Sequence, residues 1–210
     1  MASLRLPPQI PLDLSPQKQM SFKLFLTSAC NEKTVAHIRD WQNWPSPILL
    51  LIGEKGTGKT HLATAFAKQG EQLASLDDVE TMDEATLFAK MNLALTGEVD
   101  ALLMTAASHP EIWNIKLPDL ISRLKNTPVV ELSEPDDTLL EGITRQLFEG
   151  FGRAVSKDVV TYIVSRTART VASLQRLVEN LEAQAQSDKA DMSKAYVARH
   201  INKWSTPELF

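Results

Sequence analysis

The chain has 210 residues, 43% hydrophobic and 23% charged, which suits one compact α/β domain with a small helical appendage. A formal net charge of -4 and a pI near 5.6 argue against a large nucleic-acid footprint, though they leave room for a local basic patch, and any action near DNA is expected to be indirect. The longest apolar strand-like run, Ile48–Ile52, is far too short to cross a membrane. The first residues lack the apolar core of a secretion signal, and the single cysteine, Cys30, suits a reducing cytoplasm.

Residues 1–21 are rich in Pro, Gln and Ser without periodicity and read as a flexible arm. Within it lies the apolar cluster Gln9-Ile10-Pro11-Leu12-Asp13-Leu14. Phe22–Leu26 reads as a short extended piece. Val35, Ile38 and Trp41 then recur at helical spacing behind Asn31, a natural N-cap. Trp44-Pro45-Ser46-Pro47 breaks the chain ahead of the buried strand Ile48–Ile52. Directly after it, Gly53-Glu54-Lys55-Gly56-Thr57-Gly58-Lys59-Thr60 matches G-x-x-x-x-G-K-[ST] at every fixed position, and a helix former, His61–Lys68, follows. Strand, glycine-rich loop and helix are the context this phosphate-binding motif requires. Its glycines let backbone N–H groups curl around phosphate oxygens at a helix N-terminus. Lys59 is expected to reach the outer phosphates and Thr60 to help hold Mg²⁺.

Gly70 reads as the C-cap of that helix, and Leu73–Leu76 as a weak strand running into Asp77, Asp78 and, just beyond, Glu80. Leu87, Met91 and Leu95 give Asp83–Leu95 one apolar helical face. Ala101–Thr105 reads as a strand, Leu117–Lys125 as a short helix with Pro118 at its start, and Pro128–Leu132 as the last strand. Strands alternating with helices predict a parallel sheet. From Pro135 onward the pattern is helical only, with stripes at Leu139/Ile143/Leu147, Val159/Val160/Ile163/Val164 behind Ser156, Leu174/Leu177/Val178/Leu181, and a last helix through Ala195–Trp204. The expected organisation is an arm (1–21), an α/β nucleotide-binding core (22–134) and a helical lid (135–210).

Phosphate chemistry needs an acid at the end of a strand beside the loop, and Asp77 with Asp78 fills that position, Asp77 as a Mg²⁺ partner of Thr60. An acidic first helical turn would read the same way. Thr105 ends a strand where a hydroxyl could sense the outer phosphate, or simply cap the strand. Arg123 could stabilise transition-state charge on a neighbouring subunit's nucleotide, or be a surface charge. Arg166, Arg169 and Arg176 of the lid could touch phosphate from above.

The loop continued as Gly-Lys-Thr-His-Leu, the strand ending in Thr105, Leu117-Pro118-Asp119-Leu120-Ile121-Ser122-Arg123-Leu124 and the helical lid together resemble the AAA+ module of the DnaA family of replication initiators. Phe25-Leu26-Thr27-Ser28-Ala29-Cys30-Asn31 resembles that family's leading segment, where adenine is held. With no DNA-binding domain expected after the lid, the likeness is to the Hda-like regulators that inactivate the initiator. The resemblance implies a P-loop AAA+ core and a bound ADP or ATP with Mg²⁺, cradled by Gly53, Glu54, Lys55, Gly56, Thr57, Gly58, Lys59, Thr60 and His61. It also implies that Gln9, Ile10, Leu12 and Leu14 dock on the sliding clamp (beta subunit) of DNA polymerase III. Arg123 would then complete the active site of DnaA and promote its ATP hydrolysis, with the nucleotide held here, usually ADP in this family, serving as a conformational ligand.

Two departures stand out. Only His61 to Leu76 separates the loop from the acid pair, where the family fits a further strand and helix. A trimmed, four-stranded sheet is therefore expected, with an exposed edge at which a second copy could associate as a homodimer. The family's sensor arginine falls on Ala172, flanked by Arg169 and Arg176. Alternatives to the regulator are an autonomous P-loop ATPase or phosphotransferase, and a DnaC-like helicase loader.

Overall fold

The computed structural model describes residues 20–204, with side chains through 201; Gln9, Ile10, Leu12 and Leu14 lie outside it. Four parallel strands, β1 (Ile48–Ile52), β2 (Leu73–Leu76), β3 (Ala101–Ala106) and β4 (Val129–Glu131), form one sheet in the order β2-β3-β1-β4. β1 is central, with Ile48 opposite Leu102 and Leu50 opposite Val129. Its five residues are all buried because helices cover both faces, which is why they read as an unbroken apolar run.

Alternation along β1 splits the core in two. Ile48, Leu50 and Ile52 pack with Leu87, Met91 and Ala94 of α3 (Glu84–Leu95) and with Leu120 and Leu124 of α4 (Pro118–Lys125). Leu49 and Leu51 pack with Val35 and Ile38 of α1 (Glu32–Arg39) and with Leu62, Ala63 and Phe66 of α2 (Lys59–Ala67). Trp44 stacks on Phe66 at a ring separation of 5.3 Å. A third core is built mainly by helices, α5 (Asp137–Gly150), α6 (Lys157–Val164), α7 (Val171–Asp188) and α8 (Lys194–Trp204), around Phe148, Ile163, Leu177, Val178, Leu181 and Val197.

Several local expectations are corrected. Ser21 O accepts from both Leu24 N–H and Phe25 N–H, so 22–24 is a turn rather than an extended piece. Asn31 precedes α1 but does not cap it: its Oδ1 accepts from Ser28 N–H (2.9 Å) and its Nδ2 donates to Leu26 O (3.2 Å), so its amide clasps the preceding loop instead. The first helix stops at Arg39, and Trp41–Asn43 forms a separate 3₁₀ turn. Gly70 is not a C-cap, because α2 already ends at Ala67 and Lys68 keeps right-handed backbone geometry. Asp83 does cap α3, its carboxylate accepting from Thr86 N–H at 2.9 Å.

Candidate functional site

The loop Gly53–Thr60 sits at the carboxyl end of β1 and feeds straight into α2. Its glycines are structurally required. A Cβ on Gly53 would lie 2.6 Å from Leu132 O, and Gly58 has φ +104°, a left-handed backbone that disfavours other residues. Lys59 is buried, and its ammonium donates to Gly53 O (2.7 Å) and Glu54 O (3.0 Å). An ammonium has three N–H groups, so one remains for an anion in the loop. Thr57 Oγ1 also donates to Glu54 O (2.9 Å), which fixes the backbone of the turn, while the side chains of Glu54 and Lys55 face solvent. This cradle fits the phosphates of a nucleotide.

Beside it, the ends of three elements meet. Thr60 Oγ1, at the start of α2, donates to Asp77 Oδ2 at 2.7 Å. Thr105 Oγ1, fully buried near the end of β3, donates to Asp77 Oδ1 and accepts from Asp78 N–H at 3.1 Å. Parallel pairing of β2 with β3 produces this meeting, since it brings the strand ends into register at Leu76 and Met104. Asp78 joins only through its backbone, in a left-handed conformation at φ 49°. Glu80 binds the next loop, its Oε1 accepting from Ala107 N–H at 2.6 Å while Oε2 is buried without a hydrogen-bond partner among the described residues. Thr60 and Asp77 are thus adjacent, as joint Mg²⁺ partners must be. Among the described residues there is no cluster of three or more His, Cys, Asp or Glu fit to hold a metal. Phosphate oxygens and water would have to supply most of the ligands, the usual habit of Mg²⁺.

The leading segment lies against the loop. Phe25 meets His61 edge-on (centroids 5.3 Å apart) and would contact a Cβ on Gly58 at 3.4 Å. Burial holds the His61 pKa below its ordinary value, opposed by its hydrogen bond with Ser21 O and aided by Lys68. Ser28 Oγ donates to Asp136 Oδ2 (2.9 Å), and Asp136 Oδ1 accepts from Leu139 N–H (2.7 Å), so one carboxylate both caps α5 and anchors this segment.

The lid touches the loop through residues that sequence patterns did not single out. Val171 N–H donates to Gly56 O (3.3 Å), and Thr170 lies so close that a Cβ on Gly56 would be 3.0 Å from its own. Arg169 is tied to Asp137 (2.6 Å) and Pro135 O (3.3 Å), while Ala172 and Arg176 are exposed. Arg166 lies over the Tyr162 ring. No signal of spacing marks Thr170, because its role comes from a contact between segments more than a hundred residues apart.

Arg123 stands elsewhere. It is in the last turn of α4, with its guanidinium 4.4 Å from the Phe88 ring centroid, beside Ser46 and Ile48 at the amino end of β1. Its Nη1 is buried without a hydrogen-bond partner among the described residues. The chain's own phosphate loop is at the other end of that strand, about 16 Å away at the usual rise per residue.

No protein-family model matches the chain. A curated protein of Haemophilus influenzae known only as an uncharacterized protein is 22% identical, over 74% of this chain and 82% of its own length. Among solved structures, domain III of the Thermotoga maritima replication initiation protein DnaA superposes with a TM-score of 0.77 at 15% identity, covering 90% of this chain and 98% of that one. AMPPCP-bound DnaA from Aquifex aeolicus gives 0.69 at 16% identity, over 90% and 70% of the two chains. The Thermotoga maritima RuvB Holliday junction branch migration motor gives 0.66 at 15% identity, over 88% and 72%. The chain therefore has the AAA+ fold of these DnaA and RuvB structures, α/β with a four-stranded parallel sheet and a helical lid.

Proposed function

We propose that this protein is an Hda-like, nucleotide-binding negative regulator of chromosomal replication initiation, which works in the cytoplasm and acts on DnaA in trans. The observation that carries the reading is the position of Arg123. Lying at the amino ends of the strands, it has no access to the nucleotide site of its own chain, whereas a second AAA+ protein could receive it. ADP or ATP would occupy the Gly53–Thr60 loop, with Lys59 on the outer phosphates, Thr60 and Asp77 sharing Mg²⁺, and Phe25–Asn31 beside the base. AMPPCP in the Aquifex DnaA structure, which has the same fold, supports this ligand class. In this role the nucleotide sets the conformation of core and lid.

Gln9, Ile10, Leu12 and Leu14 of the arm supply the address, by docking on the polymerase sliding clamp, and DNA is engaged only through that ring. Core and lid divide near Ser133–Asp137, and the arm precedes both. Arg123 then contributes positive charge to the ATP site of DnaA as its γ-phosphoryl group departs, and DnaA is left in its ADP form.

The test combines DNA-loaded clamp, ATP-bound DnaA and this protein. Arg123→Ala should slow loss of ATP from DnaA by roughly a thousandfold, and Gln9→Ala with Leu12→Ala should abolish clamp retention. Equal rates for wild type and Arg123→Ala would sink the assignment.

The contact of Thr60, Asp77 and Thr105 favours a second reading, an autonomous ATPase. Multiple turnovers by the purified chain alone, abolished by Asp77→Asn, would establish that alternative.

A further inference from the structure

We propose that the recess at the amino end of β1 is a binding site for a short aliphatic carboxylate, with its carboxyl group on Arg123 and its hydrocarbon chain against Ile48 and Met91. The recess is a cavity of about 160 Å³ where β1, α3 and the last turn of α4 meet, with Ser46, Ile48, Met91, Leu95, Arg123 and Asn126 in its wall.

The cation in that wall is unpaired. Arg123 is the only charged residue of the lining, and it forms no ion pair among the described residues. Its Nη1 is buried without a hydrogen-bond partner there, a condition that few polar groups of a native protein keep. A guanidinium presents five N–H groups in one plane, so a carboxylate can take two of them side by side. The Phe88 ring, 4.4 Å away, supports it from one face. Behind it the backbone is fixed, since Arg123 O accepts from Thr127 Oγ1 (2.9 Å) and Asn126 N–H (3.1 Å), and Asn126 Nδ2 donates to Ser122 O (2.8 Å). A group ordered before contact loses little entropy on binding. Ser46 Oγ accepts from Ile48 N–H at 3.2 Å, which leaves its own proton for an acceptor in the recess.

The rest of the wall selects the tail of the ligand. Ile48 and Met91 are buried apolar surface, and Leu95 stands half-exposed beside them, so hydrocarbon placed there leaves water. No acidic side chain lines the recess, so an anion meets no repulsion from its wall. An apolar cavity of about 150 Å³ holds a benzene-sized group, roughly six non-hydrogen atoms, which is the size of isobutyrate. Inorganic phosphate would use the cation and leave the apolar wall uncovered, whereas a neutral amide would forgo the ion pair.

The site rests on the cavity and its unpaired cation, not on the proposed regulatory role. One consequence does rest on that role: a bound carboxylate would withhold Arg123 from the ATP site of a partner.

The test is a methyl NMR titration of the full chain, labelled at isoleucine and methionine, with sodium isobutyrate against sodium chloride of equal ionic strength. The Ile48 and Met91 signals should shift saturably, with a Kd in the millimolar range or below, while those of Ile163 and Ile201 in the helical core stay in place. Isobutyramide, the neutral amide of the same shape, should bind at least about tenfold more weakly, and so should isobutyrate to Arg123→Gln. Unchanged Ile163 and Ile201 signals report that the variant is folded; should it fail to fold, the amide comparison on wild type decides alone. Ile48 and Met91 signals that do not respond overturn the proposal. So does isobutyramide binding as tightly as isobutyrate, inorganic phosphate shifting the same signals at equal or lower concentration, or a folded Arg123→Gln that binds isobutyrate like wild type. DnaA takes no part in this titration, so its outcome is independent of the assay for action in trans.

Discussion

The two ends of the sheet differ in how their polar groups are satisfied. At the carboxyl end, Lys59, Thr57, Thr60, Asp77 and Thr105 are all hydrogen-bonded to one another or to loop carbonyls. At the amino end, Arg123 rests on an aromatic ring with a buried N–H lacking an acceptor among the described residues, beside a recess lined by both polar and apolar residues, Ser46 and Asn126 as well as Ile48 and Met91. The carboxyl end is organised largely within the chain, with one Lys59 N–H and Glu80 Oε2 left over, whereas the amino end leaves Arg123 Nη1 without an acceptor among the described residues. Substitutions at the first should therefore cost ligand affinity or stability, and substitutions at the second should cost almost no stability.

The largest effect expected is on nucleotide affinity. Lys59→Ala removes the loop's only buried cation, and titration calorimetry with ADP should show binding weakened roughly a hundredfold. Gly53→Ala comes next, because its new Cβ would press on the Leu132 carbonyl and force the end of β1 away from the segment after β4. Denaturant unfolding should show a loss of about 2 kcal/mol.

A smaller effect tests the anchor between the leading segment and α5. Asp136→Ala removes the cap and the bond from Ser28, and should cost about 1 kcal/mol at neutral pH. The Leu139 N–H holds the Asp136 carboxyl below the usual aspartate range, with further help from Ser28 and against the opposing effect of burial. Since its folded pKa is the lower one, its contribution is complete above the unfolded value and disappears as pH falls through the folded value. The difference in melting temperature between wild type and Asp136→Ala should therefore shrink on acidification below about pH 4. A constant difference would refute this cause.

Arg123→Ala should matter least to folding. Loss of the contact with Phe88 is offset by removal of an unpaired buried N–H, and stability should change by no more than about 0.5 kcal/mol. A loss of several kcal/mol would break the contrast between the two ends.

The carboxyl end was the more legible in sequence, for a physical reason. A phosphate cradle needs consecutive backbone groups, so Gly53 to Thr60 announce themselves locally, and β1 and β2 begin and end at the residues that hydrophobic runs indicate. β3 runs one residue beyond its pattern, to Ala106, and β4 stops short of Leu132, because pairing with β1 sets those ends rather than side-chain character. Asn31 and Gly70 misled because composition suggests a cap but neighbouring carbonyls and helix geometry decide it. The Phe88 shelf under Arg123, the clasp of Ser28 to Asp136 and the approach of Thr170 to Gly56 join distant segments. No local pattern encodes them.

That last approach makes the lid a mechanical extension of the loop. α7 begins at the residue bonded to Gly56 O and runs 18 residues, about 27 Å, as one rigid rod. At its far end Asp188 accepts from the Tyr196 hydroxyl (2.7 Å), so a tilt of α7 would be passed to α8. A tilt of about 5° at Thr170 sweeps the Asp188 end through about 2 Å. Any reshaping of the glycine turn is thus magnified on the opposite side of the helical bundle, where a passing protein could read it as surface relief.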